Sequence, residues 1–217
     1  MIPLTILDNF YETPSLVRNF ALRQTFSKDR TVDHPGTRTD FISELDKELF
    51  NVFVLKILNL FFDTNKDNVS YTINSFFQMI PESFEEGWTH NDGNVSMAGI
   101  VYLTPDAPLN GGTLICKEKE PGTLYDYQMR NDFYNQKDID LNLYRKFRDA
   151  HNNKFDTTIE ISNVYNRLVI YDGRDFHREH KFFGNNIQNN RLTQVFFAEI
   201  NPNNCYGPAI RTRLFNS

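Results

Sequence analysis

Cysteine is scarce in this chain, which has only Cys116 and Cys205 among its 217 residues. Two cysteines are too few for the disulfide framework of a small secreted domain, so we expect both to be thiols in a reducing compartment. The first residues, MIPLTILDNF, also lack a basic segment, and Asp8 interrupts their apolar run. Such a start is not typical of a signal peptide. Together these features predict a cytoplasmic protein.

Positive charge is in deficit as well. The chain has 23 Lys and Arg residues against 28 Asp and Glu residues, which gives a net charge of −5. A protein that binds a phosphate backbone usually has a basic excess, so we expect no nucleic-acid partner. Long apolar runs are missing too, because the most apolar segment, residues 52–62, is broken by Lys56 and Asn59. It is too short to span a bilayer, so we expect no membrane partner.

Aromatic residues, in contrast, are abundant. The chain has 20 Phe and 10 Tyr, and aromatic residues make up 14% of it. Aromatic side chains are enriched in strands, where they fit a pleated, half-buried surface, so this composition favours a β-rich interior. A chain of 217 residues can bury a sizeable core in one domain, and no repeat or linker-like stretch divides it. We predict one domain over residues 1–217.

Helix signals come first along the chain. Thr13 followed by Pro14 is a favoured helix start, after a short strand predicted over residues 2–10. Ser43 is the expected N-cap of a longer apolar helix, with Asp46 at the third helical position. These signals predict a helical N-terminal part over residues 1–65.

From residue 69 the apolar period changes to two, which is typical of strands. Strands are predicted over residues 69–80, 97–103, 112–116, 157–161, 167–171 and 191–200. A polar stretch over residues 117–160, with a helix expected over 139–150, interrupts them. An insertion of this length is usually a functional lid or a packed excursion. The predicted fold class is α+β, mainly β with N-terminal helices, with a β core over about residues 69–200.

The segment that opens this core carries a metal-binding pattern. His90 and Asp92 are two residues apart, and in an extended backbone such side chains point to the same face. A distal histidine follows the later strands. Two histidines and one carboxylate are the ligand set of non-haem iron(II), with coordination positions left open. A His-x-Asp pair alone is a weak signal, so the prediction depends on the whole order of motifs.

Arg191 and Thr193 complete that order, after the Gly111-Gly112 turn and the distal histidine. They too are two residues apart on a predicted strand and share a face. A guanidinium presents a planar fork of donors that suits a carboxylate. We expect Arg191 to be the only fixed positive charge pointing into an aromatic and aliphatic barrel, with Leu192, Val195 and Phe197 as its neighbours.

With these motifs the sequence resembles the Fe(II)/2-oxoglutarate-dependent dioxygenases, in particular their prolyl-4-hydroxylase-like branch. The resemblance covers about residues 75–200. It implies a double-stranded β-helix, or jelly roll, whose open end holds the iron. It also implies an enzyme that uses Fe(II), 2-oxoglutarate and O2 to hydroxylate a small molecule or a peptidyl side chain, with release of succinate and CO2.

Carried over residue by residue, the resemblance implies that His90, Asp92 and His177 ligate the iron. His180 is an alternative distal ligand, because family spacings admit either histidine. Arg191 with Thr193 would bind the C5 carboxylate of 2-oxoglutarate, and Tyr102 would add a hydroxyl to that site.

Two other functions compete with this interpretation. The first is a non-catalytic or cupin-like metal-binding jelly-roll module. A catalytically dead relative would be expected to lose a ligand or the arginine, and neither is lost. A nucleic-acid demethylase of the AlkB type carries a second arginine six residues after the first, where this chain has Phe197. The substrate and the oligomeric state do not follow from the sequence, because loops determine selectivity.

Overall fold

The computed structural model describes residues 2–27, 34–93, 95–122, 127–135 and 140–203. Its helices are α1 (Pro14–Leu22), α2 (Ile42–Leu45), α3 (Lys47–Phe61), α4 (Tyr127–Asn135) and α5 (Leu141–Asn152). Its strands are β1 (Thr5–Leu7), β2 (Thr37–Arg38), β3 (Asn68–Ile80), β4 (Met97–Tyr102), β5 (Thr113–Glu118), β6 (Phe155–Ile161), β7 (Leu168–Tyr171), β8 (His177–Glu179) and β9 (Arg191–Asn203). None of the described helices has the length and apolar character needed to cross a membrane.

The strands form two antiparallel sheets. The larger has the order β1-β7-β4-β9-β3-β2 and the smaller the order β6-β5-β8. An additional bridge pairs His90 with His177, the first residue of β8. The two sheets face each other across a space that we call the cleft. The predicted class, mainly β with N-terminal helices and a jelly-roll core, is confirmed.

The larger sheet has two different faces because side chains alternate along a strand. On one face, Phe77 and Phe196 pack in the main apolar core with Phe53 of α3. On the other face, Phe76 and Val195 pack in a second cluster that also includes Ile115 of the smaller sheet. The N-terminal helices therefore cover one side of the sheet and leave the other side for the cleft.

The predicted cap of the long helix is wrong. Ser43 lies inside the short α2, while α3 begins at Lys47. Asp46 is extended, with φ −154°, and its side chain accepts a hydrogen bond from the Leu49 N–H at 3.0 Å. A carboxylate oxygen that satisfies this N–H makes Asp46 the N-cap rather than an interior residue, so the predicted single helix is divided in two.

The stretch predicted as an insertion contains α4 and α5, and it ends in β6, which pairs with β5. The helices pack beside the segment that leads to His90. Asn152 Oδ1 accepts from the Thr89 N–H at 2.8 Å, and the Tyr134 and Tyr144 hydroxyls are 2.8 Å apart. These contacts support the backbone just before the first predicted metal ligand.

Cys116 is a buried free thiol. The predicted thiol at Cys205 lies outside the described residues.

Candidate active site

His90, Asp92 and His177 lie together in the cleft. One ligand atom from each lies within 4.8 Å of the other two. Asp92 is between the histidines: its Oδ1 is 3.7 Å from His90 Nε2, and its Oδ2 is 3.5 Å from His177 Nε2. The three side chains are nearly enclosed, with at most 12% of any of them exposed.

Backbone pairing brings these distant residues together. The His90 N–H donates to the His177 carbonyl at 2.9 Å, and the His177 N–H donates to the His90 carbonyl at 2.7 Å. The Asp92 N–H donates to the Gly173 carbonyl at 2.7 Å. A Cβ at position 173 would lie 2.4 Å from the Val95 carbonyl oxygen, so this close approach requires glycine. The positions of the three side chains are thus set by strand pairing and one turn.

The second ring nitrogen of each histidine determines which atom faces the centre. His90 Nδ1 is 2.7 Å from the Trp88 carbonyl oxygen, and His177 Nδ1 is 2.9 Å from the Asp175 carbonyl oxygen. A carbonyl oxygen only accepts, so each Nδ1 carries the proton and each Nε2 keeps its lone pair. This is the outer-shell arrangement of metal-binding histidines.

The electrostatics of the cluster also suit a cation. Burial, followed by the proximity of Arg130 and His177, lowers the pKa of His90 well below its usual value. Burial raises the pKa of Asp92, an effect opposed by His177 and Arg130. Asp92 Oδ2 has no hydrogen-bond donor among the described residues. A dication would meet neutral imidazole lone pairs and would compensate the buried carboxylate, so the donor set fits a divalent metal.

His180, the alternative distal histidine, lies elsewhere. It follows β8, and its Nδ1 is 3.1 Å from a Glu160 carboxylate oxygen. Its backbone N–H donates to the Gly112 carbonyl at 3.1 Å. The structure therefore brings His177, and not His180, to His90 and Asp92.

Arg191 is buried at the start of β9, with 1% of its surface exposed. Its Nε donates to the Gly111 carbonyl at 3.0 Å, which gives the predicted glycine turn a partner. Its guanidinium carbon is 5.6 Å from the centre of the Tyr102 ring. Arg191 Nη2 and the Thr193 hydroxyl have no hydrogen-bond partner in the described part of the chain. Two adjacent donors on one face are therefore left for a ligand, because buried polar groups are normally hydrogen-bonded.

Tyr102 lies beside these donors, on β4 directly opposite Thr193. Its hydroxyl is 2.8 Å from Thr113 Oγ1, so it already has one partner. Burial raises the pKa of Tyr102, and the Arg191 charge opposes that rise. The phenol is therefore a neutral neighbour of the guanidinium.

The expectation of a single positive charge among apolar neighbours is wrong. The polar residues around the candidate metal ligands and Arg191 line one space, which we call the inner cavity: Arg38, Gln78, Thr113, Arg178 and Glu179. Leu192 does not join it, because its side chain points to the opposite face and packs with the helices. Neither Arg38 nor Arg178 belongs to a motif, so no pattern in the sequence pointed to them.

The chain matches one family model and is similar in fold to several solved structures. A model of a family of unknown function, DUF6445, matches residues 1–198. None of the curated proteins matches the chain.

Among solved structures, the chain is similar to a prolyl hydroxylase from Trichoplax adhaerens in complex with a peptide fragment of hypoxia inducible factor. The two are 13% identical with a TM-score of 0.54, over 99% of this chain and 87% of that chain. HygX from Streptomyces hygroscopicus, with nickel and 2-oxoglutarate bound, is 8% identical with a TM-score of 0.53, over 90% and 82% of the two chains.

A third similar structure is SnoN, a non-heme alpha ketoglutarate dependent epimerase from nogalamycin biosynthesis. It is 9% identical with a TM-score of 0.50, over 90% of this chain and 78% of that chain. At these identities the similarity shows the fold, which is the jelly roll of 2-oxoglutarate-dependent oxygenases, and it indicates no substrate.

Proposed function

The chain belongs to DUF6445, a family of unknown function, and from the geometry of its candidate site we propose that it is an Fe(II)- and 2-oxoglutarate-dependent oxygenase. The proposed reaction is hydroxylation of a small molecule or a peptidyl side chain, with O2 consumed and succinate and CO2 released. The carrying observation is that a His-Asp-His cluster and a buried arginine with an unsatisfied donor line one cavity.

In this proposal His90 Nε2, His177 Nε2 and an Asp92 oxygen hold the metal. Three protein ligands on one side leave positions open for a cosubstrate and dioxygen. Bound Fe(II) would supply the activation of dioxygen, coupled to decarboxylation of 2-oxoglutarate. The Trp88 and Asp175 carbonyls keep the Nε2 lone pairs aimed at the centre throughout.

Arg191 and Thr193 would hold the C5 carboxylate of 2-oxoglutarate. Arg191 Nη2 and the Thr193 hydroxyl are the donors without a partner in the described residues, and both lie on the cleft face of β9. The Arg191 Nε bond to Gly111 and the Tyr102 ring fix the guanidinium before a ligand arrives. Such preorganisation lowers the ordering cost of binding. Tyr102, whose hydroxyl is bonded to Thr113, would border the same carboxylate.

Similar proteins are consistent with both kinds of substrate. The Trichoplax enzyme was solved with a peptide, and HygX was also solved with nickel, 2-oxoglutarate and hygromycin B bound. The proposal for this chain therefore leaves both substrate classes in place.

The test combines turnover with binding. Purified protein supplied with Fe(II), 2-oxoglutarate and O2 should release succinate. N-oxalylglycine, an unreactive analogue, should raise the melting temperature only when metal is present. Arg191→Leu should still bind metal, as measured by calorimetry. It should weaken the binding of 2-oxoglutarate by about 2–5 kcal/mol, because a buried charged contact is lost.

Arg191→Lys is the matched control, and it should recover only part of that affinity because an ammonium cannot reproduce the planar fork. If Arg191→Leu binds 2-oxoglutarate as well as the wild type does, the cosubstrate assignment is wrong. If the protein binds metal but releases no succinate when 2-oxoglutarate and O2 are supplied, the result would favour the alternative, a non-catalytic or cupin-like metal-binding module.

A further inference from the structure

Besides Asp92, one more carboxylate lines the inner cavity, and it belongs to Glu179. We propose that this carboxylate weakens the binding of 2-oxoglutarate and of the product succinate, because it repels the carboxylate of each molecule that Arg191 and Thr193 hold. The inference rests on the proposed function and adds to it a residue that tunes the affinity of the inner cavity for dicarboxylates.

The pairing of β8 places Glu179 on the wall of the cleft. It lies two residues after His177 on this strand, so both side chains point to the same face. It is directly opposite Thr113 of β5, and side chains at opposite positions have Cβ atoms about 4.5–5.5 Å apart. Thr113 Oγ1 is in turn 2.8 Å from the Tyr102 hydroxyl. Glu179 therefore lies beside the residues that would border the C5 carboxylate of the cosubstrate.

A glycine leaves room for the Glu179 side chain within the cleft. The Gly87 N–H donates to the Glu179 carbonyl at 3.0 Å, which pairs this part of the chain with β8. A Cβ at position 87 would collide with Glu179 Oε2. The carboxylate therefore lies against the Gly87 backbone, where a larger residue would displace it.

The Glu179 carboxylate makes no hydrogen bond or ion pair in the described part of the chain. Arg178, the preceding residue on β8, donates instead to the Thr89 hydroxyl, with 3.4 Å between Nη1 and Oγ1. Like charges repel most strongly where little water separates them. Since no described donor or cation contacts the Glu179 carboxylate, an anion bound in the inner cavity would experience its repulsion.

The charge of Glu179 also acts at the candidate cosubstrate site. Burial is the main cause of the raised pKa of Tyr102; the Arg191 charge opposes that rise, and the Glu179 charge adds to it. Burial is likewise the main cause of the raised pKa of Asp92, and the Glu179 charge adds to that rise too. A carboxylate bound beside Tyr102 would thus be attracted by Arg191 and repelled by Glu179.

Both dicarboxylates of the proposed reaction carry the affected group. 2-Oxoglutarate brings its C5 carboxylate into the cavity, and succinate retains that carboxylate after CO2 is released. Arg191 and Thr193 without an opposing charge would hold the product as firmly as they hold the cosubstrate. Repulsion by Glu179 therefore favours release of succinate, and it makes the binding of 2-oxoglutarate weaker as a consequence.

The experiment compares wild-type protein with two neutral variants, each loaded with Mn(II) in place of iron. N-oxalylglycine and succinate are titrated calorimetrically. Glu179→Gln removes the charge and keeps the size, and Glu179→Met does so without offering a hydrogen-bond donor. Both variants should bind each ligand about tenfold more tightly than the wild type does. A substitution that only loosened the site would weaken binding instead, so the direction of the change separates the two causes.

Two controls separate the charge from its position. Glu179→Asp keeps the charge and should bind both ligands within about threefold of the wild-type affinity. Glu199→Gln removes one charge from an exposed position farther along β9, and it should change neither affinity.

Each remaining outcome has a separate meaning. If both neutral variants take up Mn(II) but bind N-oxalylglycine and succinate no more tightly than the wild type does, this inference is overturned and the oxygenase proposal stands. The same holds if Glu179→Gln alone gains affinity, because its amide would then be supplying a new hydrogen bond. If neither the wild type nor any variant binds N-oxalylglycine in the presence of Mn(II), the proposed function and this inference are both overturned.

Failure to take up metal is also decisive. If the wild type takes up no Mn(II), the proposed function is overturned. In that case, or if the neutral variants alone take up no Mn(II), glutarate is titrated onto the metal-free proteins, since it keeps a carboxylate for Arg191. Equal binding of glutarate by the wild type and the neutral variants would overturn the inference about Glu179.

Discussion

The two faces of β9 both contain buried polar side chains, yet they differ in how these polar groups are satisfied. On the helix side, Gln194 accepts from the Tyr11 hydroxyl at 2.6 Å and donates to Ser75 Oγ at 3.0 Å. On the cleft side, Arg191 Nη2 and Thr193 Oγ1 find no partner in the described residues. All three β9 side chains are at most 1% exposed.

This difference indicates that the two faces of β9 contribute differently to stability and to ligand binding. A buried polar group without a partner costs about 1–3 kcal/mol, so a sequence selected only for stability would not keep two of them side by side. The helix face satisfies its polar groups within the protein. The cleft face keeps donors that a ligand would satisfy, at the expense of stability.

The largest expected effect tests the ligand assignment on the cleft side. His177→Ala should weaken metal binding more than about 100-fold, because loss of even an outer-shell partner costs 10–100-fold. His180→Ala is the matched control, since that side chain lies beside Glu160, and it should bind metal as the wild type does. Calorimetric titration with Co(II) measures both. The reverse result would move the distal ligand to His180.

A smaller effect compares the two faces directly, through two substitutions of a polar side chain by an apolar one of similar size. Gln194→Leu should lower the free energy of unfolding by about 1–3 kcal/mol, because it leaves the buried Tyr11 hydroxyl without its acceptor. Thr193→Val should leave the free energy of unfolding unchanged or raise it, since it removes an unsatisfied hydroxyl. The same substitution should weaken the binding of 2-oxoglutarate by about 0.5–1.5 kcal/mol.

Urea denaturation and calorimetry measure the two quantities for this pair. Equal loss of stability in Gln194→Leu and Thr193→Val would show that the proposed contrast between the faces is absent.

The smallest effect concerns the loop between β7 and β8. The Asp172 carboxylate accepts from Arg174 Nε at 2.8 Å and from the Ile2 N–H at 3.1 Å, and it precedes the Gly173 carbonyl that holds Asp92. Hydrogen bonds from Arg174 lower the pKa of Asp172 in the folded protein below its ordinary value of 3.8. The ionised form therefore stabilises the fold, fully above pH 3.8, and this contribution is lost as the pH falls through the folded pKa.

Asp172→Asn should lower the free energy of unfolding at pH 7 by about 1 kcal/mol, because the exposed Arg174 side of the pair is screened by solvent. The free energy of unfolding of the variant should also fall less at acid pH than that of the wild type, because the variant has no carboxylate at position 172 to protonate. Denaturation at several pH values measures both effects. If the free energy of unfolding of the variant and of the wild type depend on pH in the same way, Asp172 does not contribute to acid stability as proposed.

Local patterns in the sequence account for much of the fold. The change of apolar period at residue 69 correctly predicted β3, which covers Asn68–Ile80, because alternation reflects one buried face. The two-residue spacing of Arg191 and Thr193 predicted their common face for the same reason. The cap of α3 was misplaced, since Ser43 and Asp46 are both good caps and only the extended backbone at Asp46 decides between them.

The sequence by itself determined the residue types, their periods and the order of the motifs, because these depend on neighbours along the chain. Only the tertiary structure decided which histidine lies beside Asp92, since His177 reaches it through backbone bonds with the distant His90. It likewise brought Arg38 of β2 and Arg130 of α4 to one cavity. Charges on separate elements follow no period, so their meeting is set by long-range packing rather than by any local pattern.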